Sequence, residues 1–312
     1  MNNNPKLQCN LYGLSEYLNE LVKLFHSNNL SNKILLSGPK GSGKSTLIYH
    51  FINYIFSQEE EFKYNLANNT ICMENKSFKL IKNQSHPNFY LIDTINDKNN
   101  IEISQVREMF SYTNKSSLNS KPRFVFIDNV ENLNVNSLNA LLKVIEEPNE
   151  NLFFLLSHDS KKSIKSTLKS RCLTFKLNLK FNQSIEIANS ILGANIFDYI
   201  SYDLVSYYNT PGEIINIVKF SKDNDIDLTK FTLKSFLFLL INDGYYKKNN
   251  FIKYYIYNFI QLYFLKILNE STSKENIILF YNKFNKMTYN SNKFNLNSEN
   301  LFMEFKTKIL NG

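Results

Sequence analysis

Five short apolar runs alternate with longer amphipathic segments along the first 180 residues of the chain. The runs are rich in Ile, Leu, Val and Phe and lie at residues 34–36, 89–92, 124–127, 153–156 and 173–177. Continuous apolar runs of this length are typical of strands that are buried on both faces of a parallel sheet. Helical spacing occupies residues 46–56 and 137–147, and Pro148 ends the second of these segments. The pattern predicts an α/β sheet with crossover helices.

The strand pattern fades near residue 180, and helical periodicity occupies the remainder of the chain. Short helical segments are interrupted at residues 209–212, and three long segments, rich in apolar and aromatic residues, follow residue 228. We therefore expect an α/β domain at 1–177, a small helical domain at 178–225 and an all-α domain at 226–312. The long apolar faces of the last domain are expected to mediate assembly with other chains.

Composition narrows the class of protein. With 312 residues, of which 43% are hydrophobic, the chain can form two or three domains with sizeable cores. A net charge of +8 favours an anionic partner such as nucleic acid or a nucleotide, although the heavy use of Lys and Asn along the whole chain explains the charge equally well. Three dispersed cysteines, no signal-peptide pattern and no apolar stretch of membrane length predict a cytoplasmic protein without a membrane partner.

A glycine-rich loop follows the first apolar run and precedes a helical segment. Residues 38–46 read GPKGSGKST and fit the pattern G-x-x-x-x-G-K-[ST] in the context that this pattern requires. The glycines let successive N–H groups face phosphate oxygens, and the helix N-terminus adds a partial positive charge. The expected cofactors are ATP and Mg²⁺, because such a lysine reaches the β and γ phosphates and such a serine ligates the ion. The predicted binding residues are Gly38, Gly41, Gly43, Lys44, Ser45 and Thr46.

The third apolar run ends at an acid, Asp128, which gives it the Walker B layout. An aspartate at this place holds the Mg²⁺ shell, so Ser45 and Asp128 are the predicted metal-binding residues. An ATPase of this type usually follows the aspartate with a glutamate that activates water, but the next residue here is Asn129. Glu131 lies two residues further on and is expected to point elsewhere. The sequence therefore predicts a site that holds a nucleotide and hydrolyses it poorly.

Read together with further segments, these motifs resemble the AAA+ clamp-loader family. Residues 139–148, NALLKVIEEP, match its NALLK-x-(L/I)-EEP segment, and residues 166–172, STLKSRC, are similar to its T-(I/L)-x-SRC segment. The fourth run ends at Ser157, where the family carries a polar sensor of the γ-phosphate. The resemblance implies that Arg171 is presented to a neighbouring subunit's nucleotide as a trans arginine finger, and that Gly13 packs against adenine.

Three details resemble the δ′ type of subunit in this family more than the catalytic γ/τ type. They are Asn129 after the aspartate, the segment 85–93 (SHPNFYLID) before the second strand, and Glu213 directly after the 210–212 turn. The family's sensor-2 motif places an arginine after such a turn. A carboxylate there is expected to repel phosphates.

The zinc module common in bacterial members of the family is also missing. Four cysteines form that module between the two nucleotide motifs, but this interval contains only Cys72. One thiolate and the distant His86 do not make a tetrahedral site, so no zinc is expected.

The resemblance implies an α/β P-loop AAA+ domain with a parallel sheet, a small helical lid and an all-α collar. It also implies a subunit that works with γ/τ and δ types of clamp-loader subunit, the sliding clamp and primed DNA. The alternatives are a catalytic γ/τ-type ATPase that uses Glu131 or another carboxylate as base, and another AAA+ replication machine. Lys161, Lys165 and Lys169 recur every four residues and would line a helix face, which could either follow a DNA backbone or be merely solvated.

Overall fold

The computed structural model describes residues 4–94, 100–114, 121–146, 151–206, 208–270, 274–294 and 299–311. The chain forms two compact units. The first contains Met1–Gly193 and Thr210–Glu213, and the second contains Ala194–Asn209 and Ile214–Gly312. The division into three domains at 1–177, 178–225 and 226–312 stays a prediction.

A five-stranded parallel sheet forms the centre of the first unit. Its strands are β1 (Lys33–Gly38), β2 (Phe89–Ile92), β3 (Arg123–Ile127), β4 (Leu152–Asp159) and β5 (Leu173–Lys176). They lie in the order β2-β3-β4-β1-β5, and every neighbouring pair is parallel. The five predicted strands are confirmed, and so is the α/β P-loop class with a parallel sheet.

Helices accompany the sheet on both of its faces. They are α1 (Ser15–His26), α2 (Lys44–Phe56), α3 (Lys76–Lys82), α4 (Ile103–Thr113), α5 (Val135–Glu146), α6 (Ser166–Lys169) and α7 (Phe181–Leu192). The two helices predicted after the glycine-rich loop and before Pro148 correspond to α2 and α5. Residues 147–150, which include the end of the EEP segment, lie outside the described residues.

Alternate residues of β1, β2, β3 and β4 enter two separate apolar layers. Phe124 and Phe126 of β3 join a core that includes residues of α1, α2 and α3. Val125 and Ile127, which point the other way, join a core that includes residues of α4 and α5. All four side chains are fully buried. Because both faces of the sheet are covered, the strands read as continuous apolar runs instead of alternating ones.

The carboxyl ends of the strands meet at one edge of the sheet, as they must when all strands are parallel. The glycine-rich loop leaves β1 at Gly38, Asp128 follows β3, and Ser157 lies near the end of β4. Ligands of open α/β sheets bind at this edge. The topology therefore brings the predicted site residues together.

The second unit is helical. Its helices are α8 (Pro211–Asp223), whose first turn belongs to the first unit, α9 (Leu233–Asn242), α10 (Tyr245–Lys248), α11 (Asn250–Glu270), α12 (Lys274–Phe294) and α13 (Glu299–Phe305). Its interior is aromatic, with fully buried Phe220, Phe236, Phe264, Phe302 and Phe305. The predicted all-α character of this region is confirmed. Within the described residues, no helix has both the length and the hydropathy needed to cross a membrane.

The expected lysine face does not exist. Helix α6 contains only four residues, and Lys165 is its N-cap. Because β4 continues to Asp159, Lys161 lies in the turn that follows the strand and not on a helix. The three lysines therefore cannot line one helix face, and the prediction that they do is wrong.

Candidate phosphate-binding site

The glycine-rich loop turns sharply between β1 and α2. Gly41 and Gly43 have φ angles of 82° and 88°, in the left-handed region that favours glycine. Helix α2 begins at Lys44, so its partial positive charge faces the loop. Ser42 is buried, and within the part of the chain that the structure describes its hydroxyl has no hydrogen-bond partner. A buried hydroxyl without a partner is costly, which fits a loop built to receive a polar ligand.

Lys44 lies inside this loop. Its Nζ donates to the carbonyl oxygens of Gly38 and Pro39, at 2.8 Å each. Burial lowers the pKa of the ammonium group, while the nearby carboxylates of Asp159 and Asp128 act in the opposite direction. A phosphate oxygen would form a stronger, charge-assisted bond with Nζ than either carbonyl does.

Ser45, Asp128 and Ser157 form one hydrogen-bonded group. Ser45 Oγ donates to Asp128 Oδ1 at 2.9 Å. Ser157 Oγ donates to the same carboxylate oxygen and accepts the N–H of Asn129 at 2.8 Å. The predicted sensor is therefore in direct contact with the predicted metal-binding aspartate. Hydroxyl and carboxylate oxygens are the hard ligands that Mg²⁺ prefers.

The carboxylate of Glu131 is directed at the end of β4, and its role in the site stays a prediction. The side chain is buried, and its charge is one of three that oppose the lowering of the Lys44 pKa by burial. The carboxylate is also occupied: it accepts the N–H of Asp159 at 3.2 Å and lies 3.9 Å from Nζ of Lys162. Asn129, in the place of a catalytic glutamate, has a left-handed φ of 59°, which asparagine adopts more readily than most residues.

Glu213 is paired instead of free. Its carboxylate accepts the N–H of Thr210 at 3.0 Å and lies 3.5 Å from Nζ of Lys161. Thr210 Oγ1 in turn accepts the N–H of Glu213 at 3.3 Å, so the two residues form a capping box at the start of α8. The carboxylate that was expected to repel phosphates thus has an ammonium group beside it, and its effect on phosphates stays a prediction.

Gly13 lies against α7. Its φ is 67°, and the side chain of Ile187 fills the space beside it, since a Cβ at Gly13 would stand 2.4 Å from Ile187 Cδ1. The next residue, Leu14, touches the glycine-rich loop at Gly43. This places Gly13 beside the loop, while its contact with adenine stays a prediction.

Arg171 lies just before β5, and its side chain is 37% exposed. Its Nε and Nη2 donate to Glu146 Oε1 at 3.0 and 2.8 Å, and Nη1 donates to the carbonyl oxygen of Thr167 at 2.9 Å. None of these bonds goes to the chain's own glycine-rich loop. The role of Arg171 towards another chain stays a prediction.

Sequence reasoning missed the residues that hold these groups in place. The pattern Thr-x-x-Glu at 210–213 is a capping-box signal that was readable in the sequence. Glu146 carries no local signal, because it lies 25 residues from Arg171. The pairing of Lys161 with Glu213 likewise depends on the fold alone.

The gathered residues fit the phosphates of a nucleotide with Mg²⁺. Lys44 supplies an ammonium group, Ser45 and Asp128 supply oxygen ligands for Mg²⁺, and phosphate oxygens would complete the shell of the ion.

A zinc site is a separate question. Among the described residues, no group of three or more His, Cys, Asp and Glu side chains is arranged to hold a metal. His86 stacks on Phe56 with ring centroids 4.0 Å apart. The absence of zinc stays a prediction for elemental analysis.

A protein-family model described as DNA polymerase III, delta subunit, matches residues 13–180, which is more than half of the chain. The matched segment includes the glycine-rich loop, Asp128, Ser157 and Arg171.

Curated relatives include both δ′ and γ subunits. The chain is 28% identical over 184 residues to DNA polymerase III subunit delta' of Buchnera aphidicola subsp. Schizaphis graminum (strain Sg), covering 58% of this chain and 53% of that one. It is 27% identical over 254 residues to subunit delta' of Buchnera aphidicola subsp. Baizongia pistaciae (strain Bp), covering 74% and 71%. It is 31% identical over 189 residues to subunit gamma of the former organism, covering 59% and 49%. The chain thus spans about half the length of two of these relatives.

Proposed function

This chain belongs to the family described as DNA polymerase III, delta subunit, and from that premise we propose that it is a δ′-type subunit of a bacterial sliding-clamp loader. In this role it acts in the cytoplasm with γ/τ and δ types of subunit, the sliding clamp and primed DNA. Two relatives named as delta' subunits support this type.

The subunit binds ATP with Mg²⁺ and hydrolyses it weakly. Lys44 and the loop N–H groups hold the phosphates, and Ser45 and Asp128 hold the ion. The amide of Asn129 can orient a water molecule but cannot accept its proton. Glu131 has a carboxylate, but the N–H of Asp159 and the ammonium group of Lys162 already occupy it.

Arg171 acts on the nucleotide of a neighbouring subunit. The observation that carries this proposal is a partly exposed guanidinium group whose three hydrogen bonds all lie outside the chain's own loop. Arginine has five N–H groups in a planar fork, so further donors remain for a phosphoryl group. A finger supplied in trans stabilises the charge of the transferred phosphoryl group and can be worth about 10³ to 10⁵ in rate.

A catalytic γ/τ-type ATPase is the second candidate. The charge of Glu131, which with those of Asp159 and Asp128 opposes the lowering of the Lys44 pKa by burial, favours it. ATP hydrolysis by the isolated chain separates the two. The δ′ type predicts turnover far below the ~1 to 10³ s⁻¹ typical of enzymes. Brisk turnover that is lost in Lys44→Ala would favour the catalytic type.

The test of the finger is steady-state ATP hydrolysis by reconstituted complex in the presence of clamp and primed DNA. We expect Arg171→Ala and Arg171→Lys to lower the rate, because lysine cannot reproduce the planar fork. The loss should be smaller than ~10³-fold, since only one of several ATP sites borders this subunit. Arg107→Ala, which removes an exposed arginine from α4, is the matched control. Complexes are compared at equal assembly by gel filtration, and unchanged hydrolysis in both Arg171 variants would refute the proposed role.

A further inference from the structure

The segment Thr210–Glu213, here called the 210–213 turn, is hydrogen-bonded to the glycine-rich loop. Gly212 N–H donates to the carbonyl oxygen of Gly41 at 3.0 Å. Thr210 Oγ1 donates to the carbonyl oxygen of Lys40 at 2.9 Å. Although it lies far along the chain, this turn packs as part of the first unit. Two consecutive carbonyl groups of the loop are therefore held by one short segment.

These bonds fix the direction of two peptide units in the loop. In a planar trans peptide the C=O and N–H groups point in opposite directions. Holding the carbonyl of Lys40 therefore sets the direction of the Gly41 N–H, and holding the carbonyl of Gly41 sets that of the Ser42 N–H, which donates to the carbonyl oxygen of Pro39 at 3.3 Å. The 210–213 turn thus contacts the loop through its carbonyl groups and leaves the N–H of Gly41 on the opposite side of its peptide, while a phosphate oxygen would form a stronger bond with the Ser42 N–H than the carbonyl of Pro39 does.

The contact is close enough to require glycine on both sides. A Cβ on Gly212 would lie 2.8 Å from Gly41 Cα, and a Cβ on Gly41 would lie 2.6 Å from Thr210 Oγ1. Gly41 also needs glycine for its positive φ, but Gly212 is not among the residues with positive φ. At Gly212 the requirement therefore comes from the approach of the two backbones alone.

The 210–213 turn is itself held in place by internal hydrogen bonds and by contacts with the segment that follows β4. Thr210 and Glu213 exchange hydrogen bonds in the capping box, and Pro211 between them restricts the backbone further. The buried carboxylate of Glu213 lies 3.5 Å from Nζ of Lys161. The backbone N–H of Lys161 donates to Asp159 Oδ1 at 3.1 Å, at the end of β4. The loop is thus held by a segment that is itself tied to the sheet.

We propose that the 210–213 turn is a positioning element that keeps the glycine-rich loop in its phosphate-binding form, so that bound nucleotide leaves slowly. This inference rests on the nucleotide-binding part of the proposed function, but not on Arg171 or on any partner. Thr210 and Gly212 act through the loop and are positioning residues. A loop that is already ordered loses less conformational entropy when it binds, which strengthens binding.

The test is the dissociation rate of a fluorescent ADP analogue with Mg²⁺ from the full chain, measured by stopped-flow displacement with excess ADP. Thr210→Val keeps the shape but removes both the bond to Lys40 and the bond from the N–H of Glu213, and Thr210→Ser keeps a hydroxyl for both. Loss of the bond to the loop should accelerate release about 3- to 10-fold in Thr210→Val, and Thr210→Ser should release the analogue at a rate close to that of the wild type. Gly212→Ala should accelerate release further, because its Cβ displaces Gly41.

The matched control is Thr232→Val, which removes the N-cap hydroxyl of α9 in the second unit. It should leave the rate unchanged, which shows that loss of a threonine cap elsewhere in the chain does not accelerate release. If Gly212→Ala does not fold, the comparison of Thr210→Val with Thr210→Ser is sufficient to test the inference. Slower release in Thr210→Val would mean that the turn obstructs the site, and an unchanged rate would mean that it does not position the loop. Either result overturns the inference.

The outcomes also separate this inference from the proposed function. If the wild-type chain binds the analogue and the variants release it at the same rate, only the positioning role fails. If the wild-type chain binds no analogue at all, both the inference and the nucleotide-binding part of the proposed function fail.

Discussion

His50 is a buried histidine that the interior holds in its neutral form. Its Nε2 donates to the carbonyl oxygen of Gln8 at 3.1 Å, so Nδ1 accepts the hydroxyl of Tyr64 at 2.8 Å. The side chain is fully buried, and burial lowers the pKa of the imidazole to about 4. In the unfolded chain the pKa returns to near 6.5.

This difference predicts a loss of stability in mild acid. Between pH 6.5 and 4 the unfolded state binds a proton at His50 that the folded state excludes, so stability falls as pH falls through this window. The expected loss between pH 7.5 and pH 5 is about 2 kcal/mol from this residue. Urea unfolding at the two pH values measures it. His50→Asn should reduce the pH dependence by this amount, and His26→Asn, at an exposed histidine that also bonds a tyrosine, is the matched control. An equal pH dependence in wild type and His50→Asn would contradict this account.

Single residues with a strict local pattern were predictable, and those that depend on distant partners were not. Lys44, Ser45 and Asp128 meet because a loop and a strand end share one edge of a parallel sheet, which the sequence pattern already implies. The buried position of Glu131 depends on the N–H of Asp159 at the end of β4, which no local pattern indicates.

At the scale of elements, the end of α5 and the start of β5 are joined by Glu146 and Arg171. A carboxylate in the last turn of a helix is electrostatically unfavourable, and the guanidinium group opposite offsets this. Both side chains are substantially exposed, at 37% for Arg171 and 53% for Glu146. Exposed pairs of this kind contribute little to stability, so orientation of Arg171 is the better account of the pair.

Glu146 is therefore predicted to orient Arg171 for its proposed role as a finger. Glu146→Ala should lower hydrolysis by the reconstituted complex several-fold, towards the value of Arg171→Ala, because the guanidinium group loses two of its bonds. Glu146→Gln keeps an oxygen acceptor and should stay near wild type, and thermal unfolding should change little in both variants. Faster hydrolysis in Glu146→Ala would show instead that the carboxylate restrains the arginine.

The elements of the sheet could be predicted because burial on both faces leaves continuous apolar runs. The length of helix α6 could not be predicted, since lysines spaced by four residues imitate a helix face wherever lysine is abundant. In the structure β4 continues to Asp159, and the turn after it contains Lys161, which pairs with Glu213, so no longer helix forms here. Strand ends and turns are set by such tertiary contacts more than by periodicity.

At the scale of the whole molecule, the two units differ in how much of their structure could be predicted from the sequence. The first unit contains motifs whose spacing is fixed by phosphate chemistry, so both its fold and its candidate site could be predicted. The second unit contains amphipathic helices whose apolar faces fit many packings, so the sequence predicts its class and not its arrangement. Large exposed side chains such as Leu265, Leu279 and Tyr289 remain on this unit, which is consistent with assembly through it.

The most direct test of the central claim is purification of the tagged full-length chain from its source cell, followed by quantitative mass spectrometry. A δ′-type subunit should bring γ/τ and δ types of clamp-loader subunit with it in near-stoichiometric amounts, and an unrelated protein with the same tag is the control. Recovery of the chain alone, or with an initiator or helicase-loading complex and without clamp-loader subunits, would contradict the account.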